Sequence, residues 1–109
     1  MGKLKLTPHV LGLVAERFKA LGEPTRLQIL TRLREGEKSV NELVDETGLG
    51  QANVSKHLQL LHSLGFVARR KDGLFTYYSL ADDSVFILCD IMCGQLETRM
   101  NEQRRLVAP

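Results

Sequence analysis

Apolar residues recur along this chain at helical spacing, then at strand spacing, then at helical spacing again. Val10, Leu11, Val14, Phe18 and Leu21 fall three and four apart and predict one helix face. Thr7-Pro8 starts that helix, with a capping hydroxyl and a proline suited to the first turn, and Gly22 ends it. Glu23-Pro24 opens a second helix with Leu27, Ile29, Leu30 and Leu33 on its apolar side, stopped by Gly36. Ser39 followed by Glu42 is a capping-box pattern, and it predicts a short helix holding Val40, Leu43 and Val44 that ends at Gly48. Gly50 precedes a fourth helix, from Gln51 to about Ser63, with Gly65 as its C-terminal cap. Residues 66–71 and 74–80 are strand-like, and Asp72-Gly73 between them is a hairpin turn signal. Asp82 or Asp83 then caps a last long helix carrying Val85, Leu88, Cys89, Met92, Leu96 and Met100 on one seam. The ends, 1–6 and 105–109, are expected to fray.

Residues 39–63 therefore form helix, tight turn, helix. In the second of these helices Val54, Leu58 and Leu61 share the inward side. Gln51, Ala52, Ser55 and Gln59 share much of the opposite side, with Asn53 and Lys56 flanking. Gln and Asn bond bidentately to adenine, Ser bonds base edges or phosphate, and Lys56 suits phosphate. On an isolated helix such a face is ordinary solvated surface. With the preceding helix, the glycine turn and the hairpin, it becomes a candidate for contact in a DNA groove. His57 borders the inward stripe and reads as a buried or phosphate-contacting imidazole, whereas His62 reads as a surface residue.

Arg69, Arg70 and Lys71 stand together before the hairpin tip. They suit phosphate or the minor groove; equally, charge of this kind protects an edge ribbon from pairing with other chains. Phe75, Tyr77 and Tyr78 read as packing residues, and the aromatics are fewer than a single-strand RNA-binding sheet needs.

Composition adds limits. At 109 residues the chain makes one domain with one modest core, a size that often shares its core with a partner. A net charge of +2 is too small to indicate a nucleic-acid partner, so the location of the basic residues carries that argument. No apolar run approaches a membrane span and the N-terminus lacks a signal peptide's apolar stretch, so the cytoplasm is expected and a membrane partner is not. Gly-rich phosphate loops and paired catalytic carboxylates are missing, and no His shares a helix with the cysteines, so an enzyme is not expected.

The run LGEPTRLQILTRL, the helix-turn-helix after it and GLFTYYSL in the hairpin resemble the ArsR/SmtB family of bacterial winged-helix repressors, over roughly residues 10–100. The resemblance implies a mainly α fold with a small β-hairpin, a winged helix-turn-helix. It divides a single domain, 1–109, into a helix-turn-helix (about 39–64), a wing (about 66–80) and a C-terminal dimer helix (about 83–104). It also implies a homodimer made by the first and last helices, bound to double-stranded operator DNA and released by a metal, metalloid or thiol-reactive signal.

Cys89 and Cys93 are four apart on the last helix, on one face and one turn from each other. Two thiolates so spaced suit a soft inorganic inducer such as arsenite, cadmium or lead, with a partner helix supplying further ligands. The spacing is a poor zinc signature, and both residues also fall on or beside the apolar seam, where Cys behaves as a small hydrophobe. The family's metalloid site is a Cys-rich motif at the start of the third helix, and residues 39–45 hold no Cys. Its zinc-type site on the last helix uses Asp and His, and no His follows Asp82 and Asp83. Its sulfide-sensing members pair a Cys of the second helix with one of the last, and residues 24–35 hold none. A sensor at Cys89 and Cys93 is therefore a variant site. A thiol-redox or reactive-sulfur switch is the second sensor reading, although an i,i+4 disulfide on an intact helix is geometrically awkward.

Overall fold

The computed structural model describes residues 4–107. In chain order its elements are α1 (Pro8–Leu21), α2 (Pro24–Leu33), β1 (Lys38–Ser39), α3 (Val40–Thr47), α4 (Gln51–Ser63), β2 (Val67–Asp72), β3 (Phe75–Leu80) and α5 (Ser84–Val107). The helix starts follow from local chemistry. The Thr7 hydroxyl accepts from the Val10 N–H at 3.2 Å, and the Glu23 carboxylate accepts from the Arg26 N–H at 3.0 Å. At α3 the capping box closes in both directions: Ser39 Oγ accepts from the Glu42 N–H at 3.1 Å, and Glu42 Oε1 from the Ser39 N–H at 3.0 Å. Each bond satisfies a donor that the helix itself leaves orphaned. Gly48 ends α3 in the left-handed region, φ 73°, a conformation cheap only for glycine, so α4 starts three residues later.

The core lies where α2, α3 and α4 meet the sheet. Ile29, Leu30 and Leu33 of α2 pack with Leu43 of α3 and with Val54, Leu58 and Leu61 of α4. Val67, Tyr78, Val85 and Phe86 close it from the sheet and the start of α5. Full burial of each aliphatic side chain contributes about 1.5–3 kcal/mol, which fixes the helix-turn-helix as the best-packed part of the chain.

The antiparallel sheet has the order β1-β3-β2. The strand β1 was not foreseen: it is two residues long and exists only because Lys38 and Ser39 pair with Tyr78 and Tyr77. In the hairpin Asp72 pairs with Phe75, so the loop is Gly73-Leu74 and Asp72 is the last residue of its strand. This corrects the expected Asp72-Gly73 turn by one position. Gly73 has φ 63° and Leu74 does not share a positive φ, the Gly-X pattern of a type II′ turn.

The apolar seams of α1 and α5 are left uncovered within one chain. Only Ala20 of α1 is buried, and only Val85 and Phe86 of α5. Phe18, Leu88, Met92, Leu96 and Met100 are all exposed. Because α5 projects from the core, the radius of gyration is 17.2 Å, against about 13 Å for a compact chain of 100 residues. The helix continues to Val107, past the fraying expected from residue 105. Residues 4–6 have no regular structure, and the rest of the ends expected to fray, 1–3 and 108–109, lies outside the described residues. Among the described residues no helix is long and apolar enough to cross a membrane.

Candidate nucleic-acid interface

The buried stripe Val54, Leu58 and Leu61 turns the polar side of α4 outward. Gln51, Ser55 and Gln59, at steps of four, line one wall of an open cleft. Arg69, Lys71, Thr76 and Tyr78 of the hairpin line the facing wall, and Ser39, Val40 and Asn41 close one end. Ala52, Asn53 and Lys56 are exposed on the neighbouring flank of α4, outside the cleft lining. Asn41, an exposed amide in the first turn of α3, was missed by the sequence reading; its place in the opening turn of a helix-turn-helix was the available signal.

Strand alternation separates the three consecutive basic residues of β2. Arg69 and Lys71 share the cleft face. Arg70 points to the other face, where its Nε and Nη2 donate to the two Glu37 carboxylate oxygens at 2.8 and 2.7 Å. Its guanidinium also lies 4.7 Å from the centre of the Tyr77 ring. The hydrogen bond from Arg70 holds the Glu37 carboxyl below the usual carboxylate range, and the same bond raises Arg70 above the usual arginine value. Such a fork-to-fork pair is directional and fixes the hairpin against the loop before β1. Lys38 Nζ braces that loop from below, 3.0 Å from Glu46 and 3.4 Å from Glu35, and the Glu46 bond raises its pKa.

A second set of charged contacts holds α4 from behind. Arg17 of α1 donates to the Leu64 carbonyl at the end of α4 and lies over the Phe66 ring. Arg26 of α2 reaches back to the last carbonyls of α1, Ala20 and Lys19, and its Nη1 is 3.3 Å from His57 Nδ1. Glu23 Oε2 stands 3.9 Å from His57 Nε2. Burial works to raise the Glu23 carboxyl, but hydrogen bonds from the Thr25 and Arg26 N–H groups work against it and the pKa is lowered. His57 is thus a half-buried bridging imidazole, and His62 is half-buried rather than fully at the surface.

Cys89 and Cys93 differ in setting. Cys89 is half-buried and lines an apolar groove with Phe18, Leu21 and Leu27 of the α1–α2 corner and with Val85, Leu88 and Met92 of its own helix. Cys93 is exposed and outside that groove, so as a core residue it has no cover within one chain. Among the described residues no three His, Cys, Asp or Glu side chains cluster closely enough to hold a metal ion.

Comparison with known proteins agrees with this geometry. Residues 23–69 match the model of the bacterial regulatory protein arsR family. An HTH-type transcriptional regulator of Methanocaldococcus jannaschii, MJ1325, is 44% identical over 72 residues, which is 65% of this chain and 81% of the archaeal one. A probable mercury resistance operon repressor of Streptomyces lividans is 41% identical over 71 residues, 65% of this chain but 57% of that protein, so the match spans little more than half of its length. Among solved structures, a homodimeric winged helix-turn-helix DNA-binding domain from Mycobacterium bovis, a possible ArsR-family transcriptional regulator, superposes with a TM-score of 0.73 at 33% identity. That match covers 89% of this chain and 90% of that one.

Proposed function

We propose, for a chain that belongs to the ArsR family of bacterial DNA-binding transcriptional regulators, that it is a homodimeric repressor released from operator DNA by a thiophilic signal acting at Cys89 and Cys93. The observation that carries the DNA reading is the cleft whose walls are Gln51, Ser55 and Gln59 on one side and Arg69 and Lys71 on the other. The amide and hydroxyl groups of α4 suit base edges in the major groove, and the two wing cations suit the adjacent phosphates. Ala52, Asn53 and Lys56 extend the same contact along the exposed flank. Arg70, tied to Glu37, contributes by holding the wing in place and adds positive field.

The uncovered seams of α1 and α5 support the dimer. Phe18, Leu88, Met92, Leu96 and Met100 form an exposed apolar surface along these two helices, of the kind that marks a protein interaction site. A twofold partner on that surface sets the two α4 helices about 34 Å apart, one turn of an inverted-repeat operator.

For the signal, the two thiols one turn apart suit arsenite, cadmium or lead, and the resemblance to a mercury-resistance repressor points to the same soft-ion class. Each chain offers only its own pair, so a fully coordinated soft ion draws its remaining ligands from the partner's α5. The exposure of Cys93 favours a second reading, oxidation or persulfidation of that thiol, which would disturb the same helix.

The test is fluorescence anisotropy of the reduced protein on the DNA upstream of its own gene, titrated with arsenite, cadmium, lead, mercuric ion and polysulfide. Release by a metal, lost in both Cys89→Ser and Cys93→Ser, is the expected result. Release by polysulfide alone selects the redox reading. Tight binding that none of these reagents weakens would reject both cysteine readings.

A further inference from the structure

We propose that Arg26 and His57 are positioning residues that fix the rotation of α4 against the α1–α2 corner, so that operator affinity depends on them although neither faces the cleft. The inference rests on the reading of α4 as the groove-contacting helix.

The contact constrains its own chemistry. Arginine has only donors, so the 3.3 Å approach of Arg26 Nη1 to His57 Nδ1 requires Nδ1 to accept with its lone pair. The neutral imidazole then carries its proton on Nε2, on the side where the Glu23 carboxylate stands at 3.9 Å. Both ring nitrogens are thereby addressed by the corner, and the ring is largely buried, with 14% of its side-chain surface exposed. Two further donors of Arg26 go to α1: Nε to the Ala20 carbonyl and Nη2 to that of Lys19. One guanidinium therefore closes the end of α1 and grips the middle of α4.

The position on the helix decides what this grip does. At 3.6 residues per turn His57 lies about 160° round α4 from Ser55, so it faces away from the cleft that Ser55 lines. It also stands beside the hydrophobic stripe rather than in it. The stripe resists roll of α4 through close packing, which is less directional than a hydrogen bond. A hydrogen bond to a ring on the flank supplies that direction. Bidentate contacts from Gln51 and Gln59 to base edges tolerate little roll, since they depend on both distance and angle.

The experiment uses the full chain and a duplex that it selects from a random-sequence pool, with a scrambled duplex as control, followed by anisotropy over a range of salt. His57→Leu and Arg26→Lys are each expected to weaken the selected duplex about tenfold, the order of one misplaced bidentate base contact, with binding to the scrambled duplex unchanged. The double variant is expected to be no weaker than the weaker single one, because both remove the same contact. His57→Asn, whose Oδ1 stands near the place of Nδ1, is expected to restore most of the loss. Equal salt slopes for His57→Leu and wild type separate positioning from direct phosphate contact, whose loss lowers the slope by about one. Sedimentation and thermal midpoints establish that the variants remain folded and keep the wild-type assembly. Wild-type affinity in His57→Leu, a lowered salt slope, or additive losses in the double variant would each overturn the inference alone. A wild-type protein that selects no duplex overturns the reading of α4 and this inference with it.

Discussion

Glu37 and Arg70, thirty-three positions apart, pair through two parallel hydrogen bonds of 2.8 and 2.7 Å between the loop before β1 and the middle of β2. The pair divides a run of three basic residues into two sets: Arg69 and Lys71 face the cleft, and Arg70 anchors the hairpin that carries them.

Salt-dependent binding distinguishes these roles. Arg69→Ala and Lys71→Ala are each expected to lower the slope of log affinity against log salt by about one, as phosphate contacts do. Arg70→Ala is expected to leave the slope nearer that of wild type while loosening the wing. Equal slope changes in all three variants would contradict the division of labour.

Glu37 also predicts a pH effect. Its carboxyl is held below the ordinary value of 4.5 in the folded chain, so the folded state binds that proton more weakly than the unfolded one. The contribution to stability is present in full above the ordinary value and is lost as pH falls through the lowered one. The thermal midpoint of wild type is expected to drop more than that of Glu37→Gln between about pH 6 and pH 3. Parallel pH profiles for the two proteins would rule the pair out as a stabilising contact.

Leu58 tests the packing behind α4. It is fully buried between α4 and the rest of the core, so Leu58→Ala removes its contacts and leaves a cavity. The expected cost is about 2–5 kcal/mol in urea denaturation. That is a large share of the about 5–15 kcal/mol that holds a domain of this kind together. A cost below about 1 kcal/mol would show that α4 is packed more loosely than its burial indicates.

Leu96 tests the partner surface. It is 58% exposed on α5 within one chain, where a charge costs the monomer little. Leu96→Lys is expected to sediment as a folded monomer and to lose operator affinity by about a hundredfold, the loss of a linked second site. A variant that stays dimeric would move the interface elsewhere.

Much of this molecule was legible because the governing interactions are short in sequence. The Thr7 and Ser39 caps, the Gly48 stop and the Val54, Leu58 and Leu61 stripe all act within a few residues of themselves. They appear in the structure where the pattern indicated. The turn was displaced by one residue because Asp72-Gly73 and Gly73-Leu74 both satisfy the local chemistry, and pairing of Asp72 with Phe75 across the hairpin selected the second. At the candidate interface the polar side of α4 was legible from helical spacing. The separation of Arg70 from Arg69 and Lys71 was not, because it needs the strand's orientation and the distant Glu37.

The sequence by itself determined the helices, the caps at Thr7, Ser39 and Gly48, the helix-turn-helix order and the strand-turn-strand order of the wing, since each rests on periodicity and on hydrogen bonds between near neighbours. Tertiary structure alone decided which apolar seams are satisfied inside the chain. Periodicity states that a helix has an apolar face, not what covers it: the faces of α2, α3 and α4 meet each other, and those of α1 and α5 remain open. It also decided β1, the pairing of Arg70 with Glu37, the grip of Arg26 on His57, and the unequal settings of Cys89 and Cys93. Each of these joins or separates residues by where the packed helices and sheet set them in space, and no local pattern encodes that distance.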